Sequence, residues 1–141
     1  MDKFKEIRPI VLGVIIKDNK LLVSKGYDKV KKQYFYRCLG GGIEFKETST
    51  DALKREFLEE INKEILVKDF LGVSENIFTF DGNDAHEIVF FYSADFKPSD
   101  YQDEYTMIED GQKQDTAVWI DIESFKSKKE IVYPEEILKY I

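Results

Sequence analysis

Cysteine is almost missing from this chain of 141 residues. Cys38 is its one thiol, so no internal disulfide is possible. That suits a reducing compartment. Positive charge is also short: 21 Lys and Arg stand against 28 Asp and Glu, a net charge of −7. Non-specific binding to a nucleic-acid polymer rests on a basic footprint, and a membrane-surface contact needs a polybasic patch; the composition argues against both. Long apolar runs are absent. The stretch Ile10 to Ile16 is interrupted by Gly13 and falls far short of the ~20 residues that span a bilayer. Its flanks lack a small-residue cleavage signature, so a cytoplasmic protein is expected. The three prolines are scattered, no linker-like stretch divides the chain, and no period of repeats appears. A single domain over residues 1–141 is expected.

What is there suffices for a core. Hydrophobic residues make up 43% and aromatics 14% of the chain, with charges well mixed, which is the composition of a folded domain. The segment "IVLGVIIKDNKLLVSKGY" reads as a hairpin, Val11–Ile16 returning at Leu21–Val23. Tyr34–Leu39 reads as a short strand that breaks into a glycine loop. Residues around 67–79 and 86–96 read as two strands joined by a turn at "DGND". Ser99–Asp115 is polar, acidic and unpatterned, and is expected to be a loop. Thr116–Ile122 reads as a last strand, and "PEEILKYI" as a terminal helix with Pro134 in its first turn. Few helices among many strands point to an α+β domain with a mixed sheet.

Residues 49–61 carry the strongest helix signal. Thr48 is the candidate N-cap, with Asp51 three residues on, and Asn62 is the candidate left-handed C-cap. Leu53, Phe57 and Ile61 form one apolar stripe, widened by Leu58. Beside it Glu56, Glu59 and Glu60 share a face at i, i+3 and i+4. Unpaired, such carboxylates repel. Arg55 and Lys63 do not sit centrally among them, whereas a hard divalent cation would offset all three and would bridge to phosphate. Gly40, Gly41 and Gly42 precede the helix, and glycine backbone approaches a ligand closely. Together these suggest hydrolysis of a phosphoanhydride. The alternative for the helix is a plain solvated acidic face.

Gly41, Glu47, Arg55, Glu56, Phe57, Glu59 and Glu60 stand at the spacing G-x5-E-x7-R-E-U-x-E-E-x-G-U, where U is bulky and apolar. This resembles the Nudix box. Asn62 and Lys63 depart from its last glycine and apolar positions, and Lys46 stands where many relatives have glycine. The resemblance implies an α/β/α sandwich around a mixed sheet. It also implies hydrolysis of a nucleoside diphosphate linked to another moiety, such as a nucleoside triphosphate, nucleotide sugar or dinucleoside polyphosphate. Mg²⁺ or Mn²⁺ would be the cofactor, a small nucleotide the substrate, and the chain a monomer or homodimer. Carried over, Glu56, Glu59 and Glu60 would be metal ligands, with the Gly40 carbonyl a further one, and Gly41 and Gly42 would meet substrate. Glu47 would pair with Arg55 and hold the loop to the helix. The family's general base varies; outside the box Glu104, Glu109 and Asp115 are candidates, with Glu109 preferred. A non-catalytic binding module with the same fold is the competing class.

Other conspicuous residues receive plainer readings. His86 is expected to be an exposed turn residue, and Cys38 a small buried one rather than a nucleophile. Tyr34, Phe35 and Tyr36 are expected to alternate between core and sheet face.

Overall fold

The computed structural model describes residues 5–141, apart from the side chain of Gln114. Residues 1–4 of the single unit expected over 1–141 lie outside the described residues.

Among the described residues, nine strands and two α-helices make up the fold. Strands β1 (Ile7–Val14), β5 (Gly40–Gly42), β6 (Ile65–Phe80) and β7 (Asn83–Phe96) form one sheet in the order β5-β1-β7-β6. It is mixed: β1 runs parallel to β7, with Ile7 beside His86 and Val14 beside Ser93, and the other pairs are antiparallel. The second sheet holds β2 (Ile16–Lys17), β3 (Lys20–Asp28), β4 (Gln33–Cys38), β8 (Glu104–Glu109) and β9 (Gln112–Asp121). Asp18 and Asn19 take positive φ at the β2–β3 turn, as do Asp81 and Gly82 at the β6–β7 turn. These are the residue types that tight hairpin turns favour.

Helix α1 (Ser49–Ile61) forms as its caps require. The Thr48 side chain accepts from the Asp51 N–H, and Asn62 closes the helix at φ 56°, ψ 41°. Its buried side is Ala52, Leu53, Phe57 and Ile61. Leu58, expected to widen that stripe, is 46% exposed; Ala52 takes the place beside Leu53. Under α1 these residues pack with Val11, Leu22, Leu39, Phe96 and Tyr105. A second cluster, Ile10, Leu12, Val23, Val89 and Phe91, is closed by Phe125 of α2 (Ile122–Lys126) and by Ile137. Helical segments thus close the two opposite faces, in the expected sandwich.

Several expectations need correction. The apolar run Val11–Ile16 is not one strand: β1 ends at Val14 and β2 joins the other sheet. The glycines are a short strand paired with Ile10–Leu12, not a loop. Residues 104–115, expected to be loop, are β8, a turn at Asp110–Gly111 and the start of β9. Their polar sequence masked the pairing because both strands expose one face. The C-terminal helix is a single 3₁₀ stretch, Glu135–Lys139, and α2 was not anticipated. Among the described residues no helix is long and apolar enough to cross a membrane.

Candidate active site

Arg55 is the hub of the site. Its Nε donates to Glu47 Oε2 at 2.7 Å and its Nη2 to Glu47 Oε1 at 3.0 Å. Nη2 also donates to the Gly42 carbonyl at 2.9 Å. Nη1 donates to Glu56 Oε1 at 3.0 Å and Glu59 Oε2 at 3.2 Å. One planar guanidinium therefore ties β5, the following loop and α1 together, with a fork geometry that Lys does not possess. The Arg55 hydrogen bonds hold the Glu47 carboxyl below its ordinary range, helped by the Glu44 N–H. Arg55 is in turn held above its own ordinary value, chiefly by Glu47.

Gly41 serves the same arrangement by its lack of a side chain. A Cβ there would lie 2.5–2.7 Å from the Glu56 carboxyl atoms, so the acid and the glycine backbone are in direct contact. Gly40 pairs with Leu12 in β5. Lys46 has a φ of 68°, in the left-handed region that favours glycine. A lysine held there carries some backbone strain.

Glu60 is the outlier among the acids. Burial pushes its carboxyl up to about 9, and a hydrogen bond with Glu56 and the charges of Glu56, Glu109 and Glu59 add to the effect. Glu109, at the end of β8, thus acts electrically on Glu60 although 49 positions separate them. Glu109 and Asp115 line one cleft with Glu56, Glu59 and Glu60. Glu104 instead starts β8, opposite Val118. Among the described residues no three acidic, His or Cys side chains are drawn together as a ready ligand set. Glu56 and Glu59 lean on Arg55, and Glu60 shares a hydrogen bond with Glu56. The donors themselves, carboxylate oxygens beside a glycine backbone, are those a hard divalent cation takes. A cation among them would offset both the burial and the neighbouring charges that raise Glu60.

Two expectations about other residues change. His86 is not an exposed turn residue but part of β7, half-buried, with its Nε2 buried and without a hydrogen-bond partner among the described residues. Cys38 is buried as expected, and burial pushes its thiol up to about 12. Sequence reasoning missed a buried ion pair. Glu87 is 5% exposed, with Arg37 Nη2 at 2.9 Å and Arg8 Nη1 at 3.7 Å. A signal existed: Glu87 falls between Ala85 and Val89 on the buried face of its strand, where a lone acid needs a partner. Arg8, Arg37 and Glu87 line a cavity of about 520 Å³ between the sheets, which reaches Gly40, Gly41 and Glu109.

Fold and site define a class: an α/β sandwich that presents a carboxylate-bearing helix, clamped to a glycine strand, at the rim of a cleft. A model of the NUDIX domain matches residues 7–140, and the chain belongs to that family. Among curated proteins it is 39% identical over 57 residues to an 8-oxo-dGTP diphosphatase of Buchnera aphidicola; the match spans 40% of this chain and 44% of that protein. Among solved structures, a MutT protein of Methanosarcina mazei superposes with a TM-score of 0.67 at 14% identity, covering 96% of this chain and 93% of that one. A NUDIX hydrolase of Nitrosomonas europaea superposes with a TM-score of 0.63 at 20% identity, covering 95% and 85%. At such identities the likeness is one of fold.

Proposed function

We propose that this chain, as one unit over residues 1–141, is a divalent-metal-dependent pyrophosphohydrolase. Its substrate would be a small nucleotide carrying a phosphoanhydride: a nucleoside triphosphate, a nucleotide sugar or a dinucleoside polyphosphate. One observation carries the reading. The guanidinium of Arg55 gathers Glu47, Glu56, Glu59 and the Gly42 carbonyl, and Glu60 lines the same cleft as Glu56 and Glu59, so carboxylate oxygens of the kind a hard divalent cation takes stand beside a glycine backbone.

In this reading Glu56, Glu59 and Glu60, with the Gly40 carbonyl, hold Mg²⁺ or Mn²⁺, which when bound supplies charge to offset the diphosphate. Arg55 and Glu47 position those acids through the bonds described above. The strand β5 lies at the edge of its sheet, which leaves backbone at Gly41 and Gly42 for the diphosphate. Glu109, which lines the cleft from the end of β8, takes the proton of the attacking water. The water oxygen bonds to phosphorus as the bridging P–O bond breaks, and the leaving phosphate departs with the bond's electron pair.

Release of phosphate or pyrophosphate from a nucleotide panel, with Mg²⁺, with Mn²⁺ and with chelator, tests this. The wild type releases product only with cation, and Glu59→Gln loses at least roughly a hundred-fold in kcat. Wild-type protein that is folded and binds cation, yet releases nothing from any compound, would end the reading.

A further inference from the structure

We propose that Asp28 and Asp81 form a clasp between two hairpin tips, and that the clasp positions Phe80 in the wall of the carboxylate cleft. Both aspartates are positioning residues, acting on the substrate through that ring and not by contact. The proposal deepens the hydrolase reading and rests on it for a substrate in the cleft.

The β6–β7 hairpin is longer than the sheet that holds it. β7 meets β1 from His86 onward, where Ile7 stands beside it. Among the described residues, the tip before that point pairs only with itself: Phe78 with Ala85, Thr79 with Asp84 and Phe80 with Asn83. A two-stranded ribbon is marginal on its own in water. Yet Phe80, in this overhang, lines both the carboxylate cleft and the cavity next to it. Its place has to be fixed from outside its own sheet.

The tip of the β3–β4 hairpin, in the other sheet, does this. Three hydrogen bonds cross between the tips. The Lys29 N–H donates to Asp81 Oδ1 at 2.7 Å, the Asp81 N–H donates to Asp28 Oδ2 at 3.2 Å, and Lys31 Nζ donates to the Thr79 carbonyl at 2.8 Å. The aspartates are reciprocal: each carboxylate accepts from backbone at the other's tip. Asp28 is buried. Its Oδ1 accepts from the Val30 and Lys31 N–H groups at 3.0 and 2.9 Å, which fixes the direction in which Oδ2 points.

Phe80 directly precedes Asp81, so the clasp fixes its ring. That ring meets Phe35 edge-on across the two sheets, with centroids 5.8 Å apart. Phe35 is held on its own side. It lies over Gly26, where a Cβ would come within 2.5 Å of the ring, and it packs on Tyr133 at 5.6 Å. Opening the clasp frees Phe80 and loosens one wall of the cleft. Arg55 keeps its bonds to Glu47, Glu56 and Glu59 throughout. The clasp therefore governs how tightly substrate is held and leaves the chemical step alone, which is an effect on KM.

The test cuts the clasp without touching the acids of α1. Asp28→Asn keeps the shape and Oδ1, but sets an amide N–H₂ against the Asp81 N–H. Asp81→Ala removes the acceptor for Lys29, and Asp81→Asn retains an oxygen there. For the full-length chain, kcat and KM are measured with Mg²⁺ on adenosine, guanosine, cytidine and uridine triphosphate, and amide exchange is followed residue by residue. Asp28→Asn and Asp81→Ala each raise KM by about three- to ten-fold, the contribution of one net hydrogen bond, with kcat within about two-fold of wild type. Asp81→Asn returns KM to within about two-fold. In Asp28→Asn the Asp81 amide exchanges roughly ten-fold faster or more while the α1 amides keep wild-type rates, the mark of a folded protein opened at the clasp alone. An unchanged KM, a fall in kcat alone, or unchanged exchange at Asp81 overturns the proposal. If wild type cleaves none of the four, calorimetry of the same compounds with Mg²⁺ decides. Binding weakened by about three- to ten-fold in Asp28→Asn sustains the clasp while the hydrolase reading fails for these compounds, and equal binding, or none, overturns the clasp.

Discussion

Glu60→Gln separates the energetics of the acidic cluster from its chemistry. In the folded, cation-free protein the Glu60 carboxyl keeps its proton to about pH 9, against an ordinary value of 4.5. Between those values the native state holds one proton that the unfolded chain has released, so stability falls with rising pH, by about 1.4 kcal/mol per unit. At pH 7 the accumulated penalty is about 3 kcal/mol, and it depends on the unfolded value alone as long as the folded one stays above 7. Gln removes the titration and keeps the shape. The variant without cation is therefore expected to be more stable than wild type at pH 7 by about 1 to 3 kcal/mol, after loss of part of the Glu56 hydrogen bond. That is roughly 3–9 °C in Tm for a chain of this size. The assay is thermal unfolding with chelator from pH 5 to 8. Wild type declines across that range, and Glu60→Gln declines much less. Added Mg²⁺ raises the wild type and leaves the variant nearly unmoved. A variant no more stable than wild type at pH 7, or a wild type with no decline from pH 5 to 8, would refute the account of the cluster.

Arg55→Lys keeps the charge and loses the fork to Glu47 together with the Gly42 contact. It should lower kcat by about ten- to a hundred-fold and stability by roughly 1–3 kcal/mol, read by product release and by urea unfolding; unchanged kcat would show that the clamp is not a positioning device. Lys46→Gly relieves a residue held at φ 68° but loosens the unfolded chain. The two effects, each about 1 kcal/mol, leave stability within about 1 kcal/mol of wild type by the same unfolding assay; a loss above 2 kcal/mol would mean that the Lys46 side chain holds the loop.

Helix α1 and its acids were legible in the sequence because everything that determines them is local. Thr48 and Asn62 mark the ends within one turn, and i, i+3, i+4 spacing puts Glu56, Glu59 and Glu60 on one face whatever surrounds them. The Glu47–Arg55 pair was legible for a related reason: its spacing matches that of the Nudix box. Leu58 marks the limit of local reading, since which flank of the stripe is buried depends on where β5 and β8 lie.

What only the tertiary structure decided is long-range pairing. Whether Gly40–Gly42 is loop or strand depends on β1 lying beside it. Glu109 reaches the acids because a polar stretch pairs as a hairpin, and half-exposed strands of that kind carry little hydrophobic signal. Arg37 and Glu87 are 50 positions apart, and no local rule links them; the buried position of Glu87 demands a cationic partner, but which one is settled by how the two sheets stack. The sequence by itself thus determined the acids and the order in which they stand. The packing of sheet on sheet determined the cavity next to them, because a cavity is made of contacts between segments that the chain keeps far apart.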